Sequence, residues 1–457
     1  MNPITLQQAA KMAEGMLIGG EPSRTIHHVH FDTRQLEDGG LFVAIRGARD
    51  GHEFVAQAAA QGAKGAIIAD PSLLPADLPA DFGIILVNDT LRAFQKLAAA
   101  YRSQFAIPYI AVTGSNGKTT TKDIIAHLLA HKLSIYKTYK NLNNHLGVPY
   151  SLLQVEEGHQ AAVLELGMNH PGEIERLASL VKPRISVITF IGEQHIEFFG
   201  SREKIALAKA ELLPHTDPEG MVLLNGDNEY LRRIAHLYDG KILYYSVTGP
   251  ADIWADKIRM DERGLHYEVH FRDGEHASLF LPLYGRHNVL NSLPAIAIAR
   301  HFGLSLADIK EALATVRLSA MRFEVLHARS GAVLVNDAYN ASPDSMQASI
   351  TTFAELFPER KKVLVLGDMF ELGPDSPQMH AGVGAFANRY RDAFSLLIAI
   401  GDNARHLYEA YQGEKRYFAT KEEAVGTLSR FDTADHAILF KASRGMELWT
   451  LLESFPS

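Results

Sequence analysis

The sequence predicts an α/β protein of three domains, and three observations carry that reading. A chain of 457 residues is too long for one ordinary hydrophobic core. Apolar runs of strand length recur along it, separated by Ala-rich or amphipathic stretches of helical length, as in sheets covered by helices. One of these runs, at 109–113, breaks into a glycine-bounded loop with a lysine and three hydroxyls, then continues as a helix.

Residues 1–106 read as a small α/β module, with strand-like LFVAI (41–45), AIIA (66–69) and IILV (84–87) between Ala-rich helices. Residues 107–316 read as a larger, mostly parallel, doubly wound sheet, from YIAVT (109–113), AVLEL (162–166), ISVITF (185–190) and MVLLN (221–225). From Tyr244 to Leu283 the pattern changes to short alternating runs such as LHYEVHF (265–271), which predicts antiparallel strands added to the central domain. Residues 317–457 read as a Rossmann-like domain, because VLVLG (363–367), LLIAIG (396–401) and AILF (437–440) each lead into a helix. No G-x-G-x-x-G follows any of these strands, so dinucleotide binding has no support. Between the last two domains, 315–321 carries no element pattern and reads as a hinge.

Composition narrows the function. With 47% hydrophobic and 21% charged residues the chain is not a disordered protein. A net charge of -8 argues against nucleic-acid binding, which needs a basic face. The absence of cysteine removes disulfides, thiolate nucleophiles and Cys-ligated zinc together. Neither a signal-peptide pattern nor an 18-residue apolar stretch occurs, so a cytoplasmic chain without membrane insertion is expected.

The loop after 109–113 reads as a nucleoside-triphosphate cradle. Gly114 and Gly117 let the backbone turn N–H groups toward an anion, Lys118 supplies a charge for the β/γ-phosphates, and Thr119 can hold Mg²⁺. Val112 occupies the first glycine position of G-x-x-x-x-G-K-[ST], which leaves the shorter G-x-x-G-K-T. In an open α/β sheet the remaining metal ligands belong at strand C-terminal ends, where Glu165 and His195 fall. An edge charge explains Glu165 equally well, and a histidine such as His195 is more often a satisfied loop residue. Lys209 lies near the apolar side of an amphipathic run, either as a solvated helix lysine or as one made reactive by apolar surroundings. Asn288 and Asn291 lie three apart on one helix face, able to present amides to a ligand or to cap the helix at 295–300. Asp337, Tyr339 and Asn340 crowd a strand end before Pro343, a costly cluster unless used. In the run 27–30, alternation puts only His28 and His30 on one face, without a carboxylate, and a metal site there is not expected.

Seven motifs then occur in a telling order: TGSNGKTTTK (113–122), NLNNHLGVP (141–149), ELGMNHPGEI (165–174), QHIEFFGS (194–201), AKAEL (208–212), GRHNVLNSLPA (285–295) and NDAYNASPDSM (336–346). With them the chain resembles the Mur ligases, ATP-dependent amide-forming enzymes of peptidoglycan precursor synthesis, over essentially its whole length. The resemblance is strongest to the branch that joins D-Ala-D-Ala to UDP-N-acetylmuramoyl-tripeptide through an acyl phosphate. It implies a P-loop ATPase-like central sheet and ATP and Mg²⁺ as cofactors. Gly114, Asn116, Gly117, Lys118, Thr119 and Thr120 would cradle the phosphates, and Glu165, His195 and Lys209, the last as a carbamate, would hold a second Mg²⁺. Asn291 would face adenine, Asp337 the ribose and Arg322 a phosphate, with Asn288, Tyr339 and Asn340 also in the nucleotide site. Substrate contacts are implied for Asp32, Thr33, Arg34, Asn143, Asn144, Lys441 and Ser443, and a monomer is expected.

Two departures stand out: Ala442 where the family usually has glycine in K-G-S, and Asn336 in place of the first Asp of D-D-A-Y-N. Two alternatives are a folylpolyglutamate synthetase-like ligase and the Mur ligase that adds the third amino acid. The first has its phosphate loop near the N-terminus, whereas here a whole module precedes it. The second usually carries D-N-P-R, and the nearest string, at 402–405, lacks the proline.

Overall fold

The computed structural model describes residues 1–456, and every run expected to be a strand lies in a sheet. The N-terminal sheet orders its strands Met16–Gly19, Gly83–Leu86, Gly65–Ile68, Leu41–Val43 and Val29–His30, parallel except for the first pair. Helix Thr90–Arg102 opens on Asp89, whose carboxylate accepts the Arg92 N–H, and buries Phe94, Leu97, Ala98 and Tyr101. Those side chains share one apolar core with Val148, Leu152 and Val155 of the central domain, so the first two domains are joined by hydrophobic packing.

The central sheet has nine strands. Tyr109–Thr113 lies between Ala161–Glu165 and Ile185–Ile188, all parallel and all fully buried, which is why each reads as a continuous apolar run. Met221–Asn225, Lys241–Ser246 and Ile253–Asp261 extend it on one side. The expectation of antiparallel pairing from Tyr244 onward needs correction: Lys241–Ser246 is parallel to both of its neighbours, and antiparallel pairing begins with Gly264–Phe271. Alternation marks a strand but not its direction. The loop that follows, 247–252, is held at its start by Asp227, which accepts the Val247 N–H at 2.8 Å and the Ser246 and Thr248 hydroxyls.

Helix Arg286–His301 begins well before the expected 295 and contains Pro294, so Asn288 and Asn291 belong to its first turns. It packs on helix Lys118–Ala130, whose Thr121 hydroxyl donates to the Asn291 carbonyl at 3.3 Å. That contact, outside the local sequence, holds the turn that propensity would leave open.

The C-terminal sheet is ordered Glu324–His327, Val333–Asn336, His436–Lys441, Lys361–Gly367, Leu396–Ile400 and Lys415–Phe418, parallel after the first pair. No helix or strand covers 314–323, the segment expected to be a hinge. Ser319 anchors it, its N–H and hydroxyl both donating to Asp123 of the phosphate-loop helix.

Candidate active site

The strand at 109–113 delivers the chain to the loop, and two constraints there require glycine. Gly117 has φ 84° and a Cβ on it would collide with the Asn291 amide. Gly114 has φ 147° and faces the Thr189 hydroxyl just as closely. The Lys118 ammonium donates to the carbonyls of Gly114 (2.7 Å) and Ser115 (3.0 Å) and to the Gln194 amide oxygen (3.3 Å). Burial pushes it down to about 8, with Glu165 pulling the other way.

A cleft of about 820 Å³ opens over this loop between the central and C-terminal domains. It is lined by Asn116, Gly117, Lys118, Thr119 and Thr120 of the loop and by Asn143, Asn144, Glu165, His195, Asn288 and Asn291 of the central domain. Arg322, Asp337, Tyr339, Asn340, Lys441 and Ser443 come from the far side. Residues more than three hundred positions apart thus meet in one space. Gly114 and Lys209 stand behind the lining, and Asp32, Thr33 and Arg34 lie on the N-terminal domain outside it. There Asp32 is bridged by its neighbour Arg34, whose Nη2 lies 2.6 Å from the carboxylate. His28 and His30 are buried with rings stacked at 5.6 Å, and their Nδ1 atoms accept the N–H groups of Glu37 and Asp32, as expected of structural histidines.

Glu165 is 2% exposed. Its Oε1 accepts from the Asn143 amide at 2.8 Å, while Oε2 is buried without a hydrogen bond, 3.9 Å from the Lys122 ammonium. A carboxylate oxygen in that state is costly unless a cation completes it. His195 caps a short helix with φ 65°, and its Nδ1 meets the Glu371 carboxylate of the C-terminal domain. Burial lowers His195 below the ordinary histidine value, and the contact holds Glu371 below the carboxylate range. Lys209 is 1% exposed, and among the described residues its ammonium has no hydrogen-bonding or ionic partner. Burial drives it well below the ordinary lysine value, and Lys118 adds to the effect. A lowered lysine value favours the neutral amine, the nucleophilic form that carbamate formation requires.

From the C-terminal side, the Arg322 guanidinium donates to the Thr119 hydroxyl at 3.1 Å and lies 4.0 Å over the Tyr339 ring. Asp337 accepts from the Phe323 N–H, the Ser349 hydroxyl and the Lys441 ammonium (2.8 Å). Lys441 also donates to the Asn340 carbonyl, and Ser443 accepts the Phe370 N–H at 2.8 Å. Asn291 donates its amide to the Asn288 side-chain oxygen, and the Asn144 side-chain oxygen Oδ1 accepts the N–H groups of Leu146 and Gly147. Asn336 accepts the Ala338 N–H and turns away from ligand chemistry. Ala442 is fully buried against Gly367, where any Cβ would stand 2.7 Å from the Ala442 methyl; the extra carbon at 442 is accommodated because its neighbour has none.

Sequence reasoning did not single out Glu371 or Gln194. Glu371 follows strand Lys361–Gly367 in the run DMFELG (368–373), a strand C-terminal end of the kind that drew attention to Glu165. Gln194 stands inside QHIEFFGS beside the histidine.

Family models match the chain in three consecutive pieces: "Mur ligase family, catalytic domain" over 25–102, "Mur ligase middle domain" over 112–299 and "Mur ligase, glutamate ligase domain" over 321–444. The chain is 37% identical to the UDP-N-acetylmuramoyl-tripeptide–D-alanyl-D-alanine ligase of Bacillus subtilis, covering 97% of this chain and 96% of that one. The chain belongs to the Mur ligase family. Other members agree along the same length. The Escherichia coli enzyme of the same name is 34% identical over 97% of this chain and 96% of its own. A crystal structure of MurF from Acinetobacter baumannii superposes with a TM-score of 0.90 at 32% identity, covering 99% of this chain and 98% of that one. MurF ligase from Thermotoga maritima in complex with ADP superposes at 0.83 with 28% identity, covering 94% of this chain and 97% of that one.

Proposed function

We propose that this Mur ligase uses ATP to join D-alanyl-D-alanine to UDP-N-acetylmuramoyl-tripeptide, forming the pentapeptide precursor of peptidoglycan. The observation that carries the reading is the cleft itself. A phosphate loop, a buried carboxylate with one oxygen free of hydrogen bonds and a cluster from the C-terminal domain meet over one strand end, in a chain that matches ligases of that name nearly end to end.

Residues 1–106 would hold the UDP-muramoyl group, 107–316 the ATP phosphates, and 317–457 the ribose and the incoming dipeptide. The Lys118 ammonium, now satisfied by three oxygens of its own surroundings, would exchange them for β/γ-phosphate oxygens. Arg322 would bring a second cation from the opposite wall to the transferring phosphoryl group. The tripeptide carboxylate takes the γ-phosphoryl group and ADP leaves; the dipeptide amine then displaces phosphate. No side-chain nucleophile is needed, in keeping with a chain without cysteine.

The donor set suits two Mg²⁺ ions: the Thr119 hydroxyl would hold one, and the free Oε2 of Glu165, the His195 imidazole and Lys209 once carbamylated would hold the second. When bound, the metals would neutralise charge on the phosphoryl oxygens. Support for residence in the cytoplasm comes from the substrate class and from the absence, among the described residues, of any helix long and apolar enough to cross a membrane. We take the working unit to be a monomer, as the resemblance implies. The test is phosphate release with each component omitted in turn. Release should require ATP, Mg²⁺, UDP-muramoyl-tripeptide and D-Ala-D-Ala together, with pentapeptide detected by mass spectrometry. Equal release without the dipeptide, and no pentapeptide, would sink the reading.

A further inference from the structure

Across the cleft, two non-glycine residues in the left-handed region face each other: His195 at φ 65° and Glu371 at φ 62°. Such backbone is strained and persists only where the surroundings fix it. Both sites are fixed. On the C-terminal side, the Met369 N–H donates to Nε2 of His380, a fully buried imidazole whose Nδ1 is held by the Ser376 carbonyl (2.7 Å). The Phe370 N–H donates to the Ser443 hydroxyl, and the Glu371 carbonyl accepts the Glu197 N–H at 3.2 Å. Gly373, with φ 64°, lets the chain pass close over Glu197. The segment 369–373 is therefore a built support that carries one carboxylate to one imidazole of another domain.

We propose that Glu371 is a positioning residue: by accepting the Nδ1–H of His195 it fixes the tautomer and ring orientation that leave Nε2 as a lone-pair donor, and it does so only when the C-terminal domain is seated on the cleft. Among the described residues Nε2 has no other partner, and the ring lines the cleft. A metal-binding imidazole held by a carboxylate at its other nitrogen is a general arrangement, and loss of the holding group weakens metal binding about 10–100-fold. What is particular here is that the holding group lies on the C-terminal domain, across the cleft from the imidazole. Closure and the donor state of His195 thereby become one event. Because Glu371 is partly solvent-exposed and replacement leaves the backbone support at 369, 370 and 373 in place, its variants should fold.

The inference rests on the assignment of His195 to the metal, and the experiment separates the two. Mn²⁺ is titrated into the full chain saturated with ADP and UDP-muramoyl-tripeptide, free Mn²⁺ being read by electron paramagnetic resonance. Glu371→Ala should weaken Mn²⁺ binding about tenfold, and Glu371→Gln, whose amide oxygen still accepts from Nδ1–H, should regain most of that loss. His195→Ala is the reference. If His195→Ala weakens Mn²⁺ binding and Glu371→Ala does not, the role of Glu371 is overturned while the metal assignment stands. If Gln binds as poorly as Ala, charge rather than orientation is at work and the proposal fails. If His195→Ala changes nothing, the metal assignment fails and takes this inference with it.

Discussion

Removing the Arg322 side chain is the sharpest test of the split site. In the closed arrangement its guanidinium donates to the Thr119 hydroxyl at 3.1 Å and stacks 4.0 Å from the Tyr339 ring, while its Nε is buried without a partner. A hydrogen bond from a charged donor contributes about 1.5–3 kcal/mol and a cation over an aromatic face about 0.5–1 kcal/mol. Carried onto the transferring phosphoryl group, a charged donor of that strength would be worth roughly 2–4 kcal/mol, so Arg322→Ala should lower kcat/KM by about 30- to 1000-fold. Arg322→Lys keeps the charge but loses the planar fork and the stack, and should fall between the two. The assay is coupled phosphate release at saturating tripeptide and dipeptide, with small-angle scattering on the same proteins. Wild type should be more compact with ATP and tripeptide than without, and Arg322→Ala should show less of that change. Turnover within threefold of wild type, with an unchanged radius of gyration for either protein, would refute both the contact's role and the closure.

Two further outcomes follow from buried lysines and their surroundings. Lys209→Ala should be nearly inactive and partly restored by a small carboxylate in the buffer, because the carbamate's oxygens can be supplied from outside; full activity at low bicarbonate would end that assignment. Asp123, 1% exposed, accepts from Ser319 of the hinge and faces Lys122 (3.4 Å) and Lys137 (2.9 Å). Asp123→Ala should cost about 3 kcal/mol in a denaturant melt, the low end for breaking a buried pair, since Lys122 keeps the Thr138 carbonyl. Burial alone would raise the Asp123 carboxyl, but Lys122 and Lys137 outweigh it and hold it below its ordinary 3.8. A depressed carboxyl stabilises the fold above its unfolded value, so the gap between wild type and the variant should close as pH falls through the folded value, and a constant gap down to pH 2 would contradict this.

How the domains are joined explains where motion is expected. Tyr101 and Leu97 share a core with Leu152 and Val155, so the first boundary is a hydrophobic seam. The second is crossed by 314–323, and much of what spans the cleft is polar: Arg322 to Thr119, Asn116 to Ser342, Arg202 to Asp344 and His195 to Glu371. Polar contacts exchange with water at little net cost, whereas an apolar core does not open without exposing its surface.

The sequence by itself determined what depends on short range. Fully buried parallel strands show as unbroken apolar runs, and a phosphate loop shows as glycines beside a lysine, because backbone turn and charge must be adjacent. Order along the chain was enough to resemble a family. Direction and extent were decided elsewhere: strand Lys241–Ser246 runs parallel to both Met221–Asn225 and Ile253–Asp261, and helix Arg286–His301 starts early and packs on the phosphate-loop helix. The state of the site's charges was likewise a matter of tertiary structure. Whether Lys209 is solvated or sealed, whether Glu165 has a free oxygen, and that Glu371 reaches His195 across 176 residues all depend on which surfaces fold against one another. Burial and long-range electrostatics are properties of the assembled chain, and a local pattern carries no measure of them.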